Sequence, residues 1–223
     1  MLKLLHQDIM EFLEANEELL FNERDLQMHL AIFLKETKRY KDVDIEYHLP
    51  IGFNPGFDKD YKAWETEKPS IDLVVFDGKE YIPIELKFKL KAIKDSISRF
   101  GERSGKNLEI VSNQSAQNIG RYAFWKDVKR LELLKKHYIN VKSGLAVFAT
   151  NDRSYMKSTV GANYYAFRMD PNQNIHGILK WDQDNYTKTS YPSIEIDGRY
   201  NIKWSETTMN NGKEQLFFTI LDI

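Results

Sequence analysis

The chain has 223 residues, 42 % apolar and 29 % charged, with a net charge of -1. That is a globular composition, long enough to bury a sizeable core. With 0 cysteines, disulfides, thiolate zinc sites and thiol nucleophiles are excluded. No apolar run approaches the ~18 residues of a membrane span, and polar residues interrupt Met1–Asp8 too early for a signal-peptide core. The expected compartment is the cytosol, with no membrane partner. Charge is segregated: Met1–Gly78 holds 9 Lys/Arg against 17 Asp/Glu, Lys79–Tyr138 holds 14 against 7, and the remainder 9 against 9. A basic middle suits an anionic partner, although a solvated helix face would give the same count.

Leu2, Leu5, Ile9, Phe12, Leu13 and Leu20 recur at helical spacing and predict an opening amphipathic helix. Asn22, with Asp25 three residues on, reads as the N-cap of a second helix over 23–38 whose apolar stripe is Leu26, Leu30, Phe33 and Leu34. Glu23 and Gln27 continue that stripe, so both point the way the core points, which is unusual for a Glu. A strand is expected over 44–49. The aromatic-rich stretch 52–68, with Phe53, Phe57, Tyr61 and Trp64, then reads as a loop or lid.

A hairpin follows, with strands 71–76 and 81–88 joined through Asp77-Gly78-Lys79-Glu80. The basic segment 89–113 reads as mostly helical or loop-like, and 114–138 as a long helix with the stripe Phe124, Val128, Leu131 and Tyr138. Gly144–Thr150 is a continuous apolar run, as in a buried central strand. Beyond Asn151, short alternating or aromatic runs around 164–167, 178–181, 194–196, 200–204 and 215–221 predict antiparallel β. Asp197-Gly198 and Asn211-Gly212 are read as turns between strands.

The hairpin carries the chemistry. Asp72 interrupts an apolar strand, and Glu85 and Lys87 share one face of the returning strand. With Gly78-Lys79 at the centre of the turn, Asp72 lies opposite Glu85, about 5 Å away. With Asp77-Gly78 at the centre the two are diagonal, about 7–8 Å apart. Two carboxylates held so close repel, and a Mg²⁺ ion between them removes the repulsion. Lys87 can then stabilise charge on a phosphate or help activate a water. The plain alternative is an exposed Glu85–Lys87 pair with Asp72 at a strand edge. Gly101–Lys106 is one residue short of a phosphate loop, and the five histidines show no metal-ligand spacing. Asn185-Tyr186-Thr187 matches a glycosylation pattern that means little without a secretion signal. Tyr164, Tyr165, Trp181 and Trp204 are read as core in preference to base-stacking residues.

Ser70-Ile71-Asp72 followed by Ile84-Glu85-Leu86-Lys87 resembles the motif of the PD-(D/E)XK nuclease superfamily. The order helix, strand, motif hairpin, helix, strand over Glu23–Thr150 is similar to that family's core. Ile71 stands where the family often has Pro, and Gln117 to Tyr122 is one residue too long for the Gln-x3-Tyr motif of some branches. The resemblance implies an α/β fold, a restriction-endonuclease-like mixed sheet flanked by helices over 1–150, followed by an antiparallel β extension over 151–223. It also implies metal-dependent hydrolysis of nucleic-acid phosphodiesters, with DNA the expected substrate. Asp72, Glu85 and Glu23 would hold Mg²⁺ (or Mn²⁺) and Lys87 would orient or activate the attacking water. Gln117, Arg121, Lys89 and Gln27 would contact substrate, the basic stretch would lie along the backbone, and double-strand cutting would suit a homodimer. A non-cleaving nucleic-acid-binding module and an α/β protein with no nucleic-acid role remain the alternatives.

Overall fold

The computed structural model describes residues 1–61, 69–114, 116–182 and 190–223. Trp64 and Asn185-Tyr186-Thr187, singled out above, lie outside them. The helices and strands in chain order are α1 (Leu2–Ala15), α2 (Glu23–Glu36), β1 (Asp42–His48), α3 (Pro55–Tyr61), β2 (Ser70–Phe76), β3 (Tyr81–Lys89), β4 (Ile93–Asp95), β5 (Ser98–Arg99), β6 (Glu102–Arg103), β7 (Leu108–Val111), α4 (Gln117–His137), β8 (Leu145–Thr150), β9 (Asn174–Leu179), β10 (Ile194–Asn201), β11 (Ser205–Met209) and β12 (Glu214–Asp222). Among the described residues, no helix is long and apolar enough to cross a membrane.

The frame is a six-stranded mixed sheet in the order β1-β2-β3-β8-β12-β11. Only β3 and β8 pair in parallel; the other neighbours are antiparallel. A parallel pair needs a long crossover, and α4 makes it. The apolar run predicted as a central strand is β8, buried at all its residues.

Each face of the sheet has its own core. On one side, Leu5, Ile9 and Leu13 of α1 and Leu26, Leu30 and Leu34 of α2 pack on Leu73, Val75, Ile84, Leu86 and Phe88. On the other, Phe124, Val128 and Leu131 of α4 meet Val74, Ala146 and Phe148. The outer side of α4 is covered in turn by the β9–β10 pair, whose Ile175, Leu179, Ile194 and Ile196 belong to the same core. A helix enclosed on both sides is ordinarily apolar all round. α4 instead buries Arg121, Asp127, Lys129, Arg130 and Glu132, and these charges are held in ion pairs or hydrogen bonds. Burial without partners would cost several kcal/mol each.

Local chemistry sets the boundaries. Asn22 caps α2, its Oδ1 accepting from Asp25 N at 3.0 Å. Replacing Asn22 with Ala is expected to cost about 1 kcal/mol and Asn22→Asp little, as read by urea denaturation. At the hairpin, Asp77 Oδ1 accepts from both Lys79 N and Glu80 N at 2.8 Å. Gly78 supplies the left-handed residue at φ 103°. The resulting register pairs Phe76 with Tyr81 and Leu73 with Ile84, the alternative that sets Asp72 opposite Glu85.

Four expectations are corrected. The stretch 52–68, read as a loop or lid, contains helix α3, whose Phe57 and Tyr61 are buried in the core; its residues 62–68 lie outside the described ones. Segment 89–113 contains two small antiparallel ladders, β4–β7 and β5–β6, in place of helix or loop; its short hairpins leave no run long enough to show a strand period. Residues 164–167 form a 3-10 turn, not a strand. Asp197-Gly198 is not a turn between strands but a bulge inside β10. The Glu132 carboxylate accepts from Asp197 N, Gly198 N and the Tyr200 hydroxyl and holds the bulge in place, so a contact 65 residues away in sequence overrides the local turn signal. Asn211-Gly212 does turn the chain, between β11 and β12. That last pair adds to the main sheet through β12 on β8.

Candidate functional site

The ladder between β2 and β3 stops at Leu73–Ile84, and the two strands separate at the next pair, Asp72 and Glu85. Asp72 Oδ2 occupies the gap, accepting from Leu86 N at 2.7 Å. Behind it, Gln27 Nε2 donates to the Asp72 carbonyl at 2.6 Å and to Glu46 Oε1 at 3.2 Å. Gln27 thus holds the strand's backbone from the helix side, and Asp72 is fixed from both directions.

Glu85 is 1 % exposed. Its Oε1 accepts from Arg130 Nη1 at 2.8 Å, and its Oε2 is buried with no hydrogen-bond partner. Arg130 Nε donates to the Tyr61 hydroxyl at 2.6 Å, the guanidinium lying over that ring. Lys87 Nζ is 2.8 Å from Asp127 Oδ2, 3.4 Å from Glu23 Oε1 and 2.9 Å from the Leu86 carbonyl to which it donates. Glu23 Oε2 also accepts from Phe88 N at 3.1 Å. The Glu85–Lys87 pair is therefore buried against α4, and the exposed-pair alternative is excluded.

Charge counting exposes an imbalance. Among the described residues, Asp72, Glu85, Asp127 and Glu23 supply four carboxylates, while Lys87 and Arg130 supply two cations. Burial raises the Asp72 carboxyl to about 6, with Lys87 and the Leu86 amide opposing and Asp127 and Glu23 reinforcing. Burial likewise pushes Glu85 well above the usual carboxylate range, against the pull of Arg130. Burial works against the Lys87 ammonium, but Asp127, Glu23, Asp72 and Glu85 together outweigh it and hold its pKa well above the ordinary lysine value. Lys87 keeps its proton at neutral pH.

Among the described residues, no three His, Cys, Asp or Glu side chains cluster as a metal cage. Mg²⁺ does not require one: it is typically held by one or two carboxylates, with water and phosphate oxygens completing its shell. Asp72 and Glu85 fit that requirement. They are hard oxygen donors on one face, Glu85 Oε2 has no hydrogen-bond partner, and the cluster is short of two positive charges.

Other sequence candidates fall elsewhere. Gln117 Nε2 donates to Asp152 Oδ2 at 3.0 Å, beside an ion pair of that residue with Lys91 at 2.8 Å. Arg121 is 2 % exposed, donates to the carbonyls of Ser154, Tyr155 and Lys157, and lies over the Tyr155 and Tyr164 rings. It ties the loop after β8 to α4, and Gln117 and Arg121 are not brought to Asp72 and Glu85. Lys89 lines a cleft of about 330 Å³ with Glu23, Phe88, Gln114 and Gly120, one pleat beyond Lys87. Asp127 and Arg130 were missed. They sit three residues apart on a different stripe of α4 from Phe124, and the one available signal was an opposite-charge pair in a helix long enough to cross the sheet. No protein-family model, curated protein or solved structure matches the chain.

Proposed function

We propose that the protein is a metal-dependent nuclease hydrolysing nucleic-acid phosphodiester bonds, DNA being the expected substrate. The carrying observation is the convergence of Asp72, Glu85 and Lys87, from one hairpin, in a buried cluster where, among the described residues, carboxylates outnumber cations by four to two. The element order supports the resemblance to the PD-(D/E)XK superfamily: helix α2 with Glu23, the motif hairpin, helix α4, then a strand parallel to β3.

Asp72 and Glu85 would hold Mg²⁺, with Mn²⁺ as a substitute. When bound, the ion would polarise a phosphoryl oxygen and make water a better nucleophile near neutral pH. The chain's own residues do the rest. Lys87 remains an ammonium, so it orients a water or phosphoryl oxygen and offsets charge that develops there; it does not take up the water's proton. Asp127 and Glu23 position that ammonium, and Arg130 fixes the Glu85 carboxylate. Their enclosure by α4 and the sheet makes each of these electrostatic contacts stronger than it would be in water.

The test is cleavage of a mixed pool of labelled DNA and RNA, single- and double-stranded, with Mg²⁺ or Mn²⁺. Lys87→Ala is expected to lower the rate by at least about 100-fold, and calorimetric Mg²⁺ binding should vanish in Asp72→Ala. The Glu85–Arg130 bond favours one rival reading, a purely structural ion cluster. Absence of Mg²⁺ binding by the wild type would select it. A homodimer would place two such sites on opposite strands of a duplex, and the mass of the DNA complex reads that directly.

A further inference from the structure

Beyond Lys89, the chain enters a small lobe made of the β4–β7 and β5–β6 ladders. Its outermost feature is the two-residue turn Phe100-Gly101 between β5 and β6, with φ of 54° and 83°. Tight hairpin turns with both residues left-handed favour Asn-Gly, and a bulky aromatic in that region is an outlier that carries strain. Phe100 gains nothing from packing in return: its exposure is 105 % of the reference value, and among the described residues no ring contact involves it.

The hairpin below it is well bonded. Ser104 N donates to the Ile97 carbonyl at 2.8 Å, and Ile97 N to Ser104 Oγ at 2.9 Å. Exposed Arg99 and Arg103 flank the tip, with exposed Lys94 and Lys106 near its base. Among the described residues, none of the four has a carboxylate within ion-pair reach, and the neighbouring Asp95 is taken by Lys213 and Asn210. The Arg99 guanidinium lies 4.9 Å from the centre of the Phe21 ring. Phe21 precedes Asn22 and Glu23, and Glu23 reaches Lys87. The hairpin therefore stands beside the α2 terminus that contributes to the site.

We infer that Phe100 is a stacking wedge: its ring lies against an unstacked nucleobase of the substrate, while Arg99 and Arg103 contact the flanking phosphates. This rests on the nucleic-acid reading above and adds to it the element that grips the base. An exposed, positively flanked aromatic is the chemistry that receives a base face, and apolar side chains of this kind also open duplex steps. The base comes from a single strand or from an opened step of a duplex; the ligand chemistry is the same.

The test is affinity for a labelled single-stranded oligonucleotide and its duplex, measured over a range of salt in EDTA with the full chain. Phe100→Ala is expected to weaken binding about 5- to 150-fold without changing the slope of log affinity against log salt, because stacking releases no counterions. Arg99→Ala and Arg103→Ala should each reduce that slope by about 1. Phe100→Asn suits the turn better, so it should raise the melting temperature while losing affinity, which separates the wedge from a structural role. Greater loss on the single strand identifies an unpaired base. Loss on the duplex, with 2-aminopurine fluorescence rising only for a protein that carries Phe100, identifies an opened step. DNA binding unchanged in Phe100→Ala overturns the wedge and leaves the nuclease reading standing, as does loss confined to binding of anionic lipid vesicles. A wild type that neither binds nor cuts nucleic acid overturns both. Weakened binding by Phe100→Ala in a protein that never cuts keeps the wedge and overturns only the catalytic reading.

Discussion

Asp72→Asn is expected to make the metal-free protein more stable at pH 7.5, by about 2–3 kcal/mol. The Asp72 carboxyl stands at about 6 in the folded chain against 3.8 as a free side chain. The folded state therefore holds this proton more tightly than the unfolded state. Wild-type stability falls as pH rises from about 4 to about 6 and stays low above it, the gap corresponding to about 2–3 kcal/mol. Glu85 acts in the same direction. Asparagine keeps the acceptor for Leu86 N but carries no charge. Its advantage should be full at pH 7.5 and fall to about a third at pH 4.5, where the folded wild type is protonated but most of the unfolded chain is still ionised. Under the nuclease reading, Mg²⁺ should close the gap at pH 7.5 by stabilising the wild type alone, since binding to the native state raises stability by mass action. Urea melts of both proteins at the two pH values, with and without Mg²⁺, read all of this. An advantage of equal size at both pH values would mean that charge at Asp72 does not limit stability.

Arg130→Met should be the most damaging conservative-volume change near the site, costing about 3–5 kcal/mol at pH 8. Methionine fills much of the space but leaves the Glu85 carboxylate, 1 % exposed, without its 2.8 Å partner, and weakens the support of Asp127 at 3.7 Å. Two signatures separate lost charge from lost packing. The cost should shrink toward pH 5, where Glu85 can take up a proton. Glu85→Gln should also cost less in the Arg130→Met background than in the wild type, a coupling that a double-mutant cycle measures. A pH-independent cost with additive single changes would assign the loss to packing.

These two residues mark the boundary of what the sequence made legible. Asp72, Glu85 and Lys87 were readable because a hairpin is local: strand alternation and a short turn fix which side chains share a face. The register needed only the choice between two turn centres. Glu23 was readable because it continues a clear apolar stripe. Asp127 and Arg130 were not, because the choice of stripe on α4 depends on how the helix is rotated against the sheet. The resemblance assigned Gln117 and Arg121 to substrate, and both continue the apolar stripe through Phe124. Enclosure of α4 between the sheet and β9–β10 removed the usual contrast between a wet and a dry face, so apolar spacing ceased to indicate direction. The Asp197-Gly198 bulge failed for a related reason, its conformation being set by Glu132 from across the core. The helices and most strands of the main sheet followed from periodicity, and the mixed sheet flanked by helices from the resemblance, whereas the β4–β7 lobe was too finely divided to leave a period.

The parallel pairing of β3 with β8 also bears on how the chain folds. The β2–β3 hairpin closes a short loop and is the least costly long structure to form early, whereas β3–β8 spans about 60 residues and waits for α4. In that interval Asp72 and Glu85 already face each other, while Arg130 has yet to dock. The early ladder can zip easily from Phe76–Tyr81 to Leu73–Ile84 and meets repulsion at the next pair, the place where the native strands part. Under the nuclease reading, the opening that would receive a cation is thus prepared by a halted zipper, and docking of α4 closes around a gap that already exists.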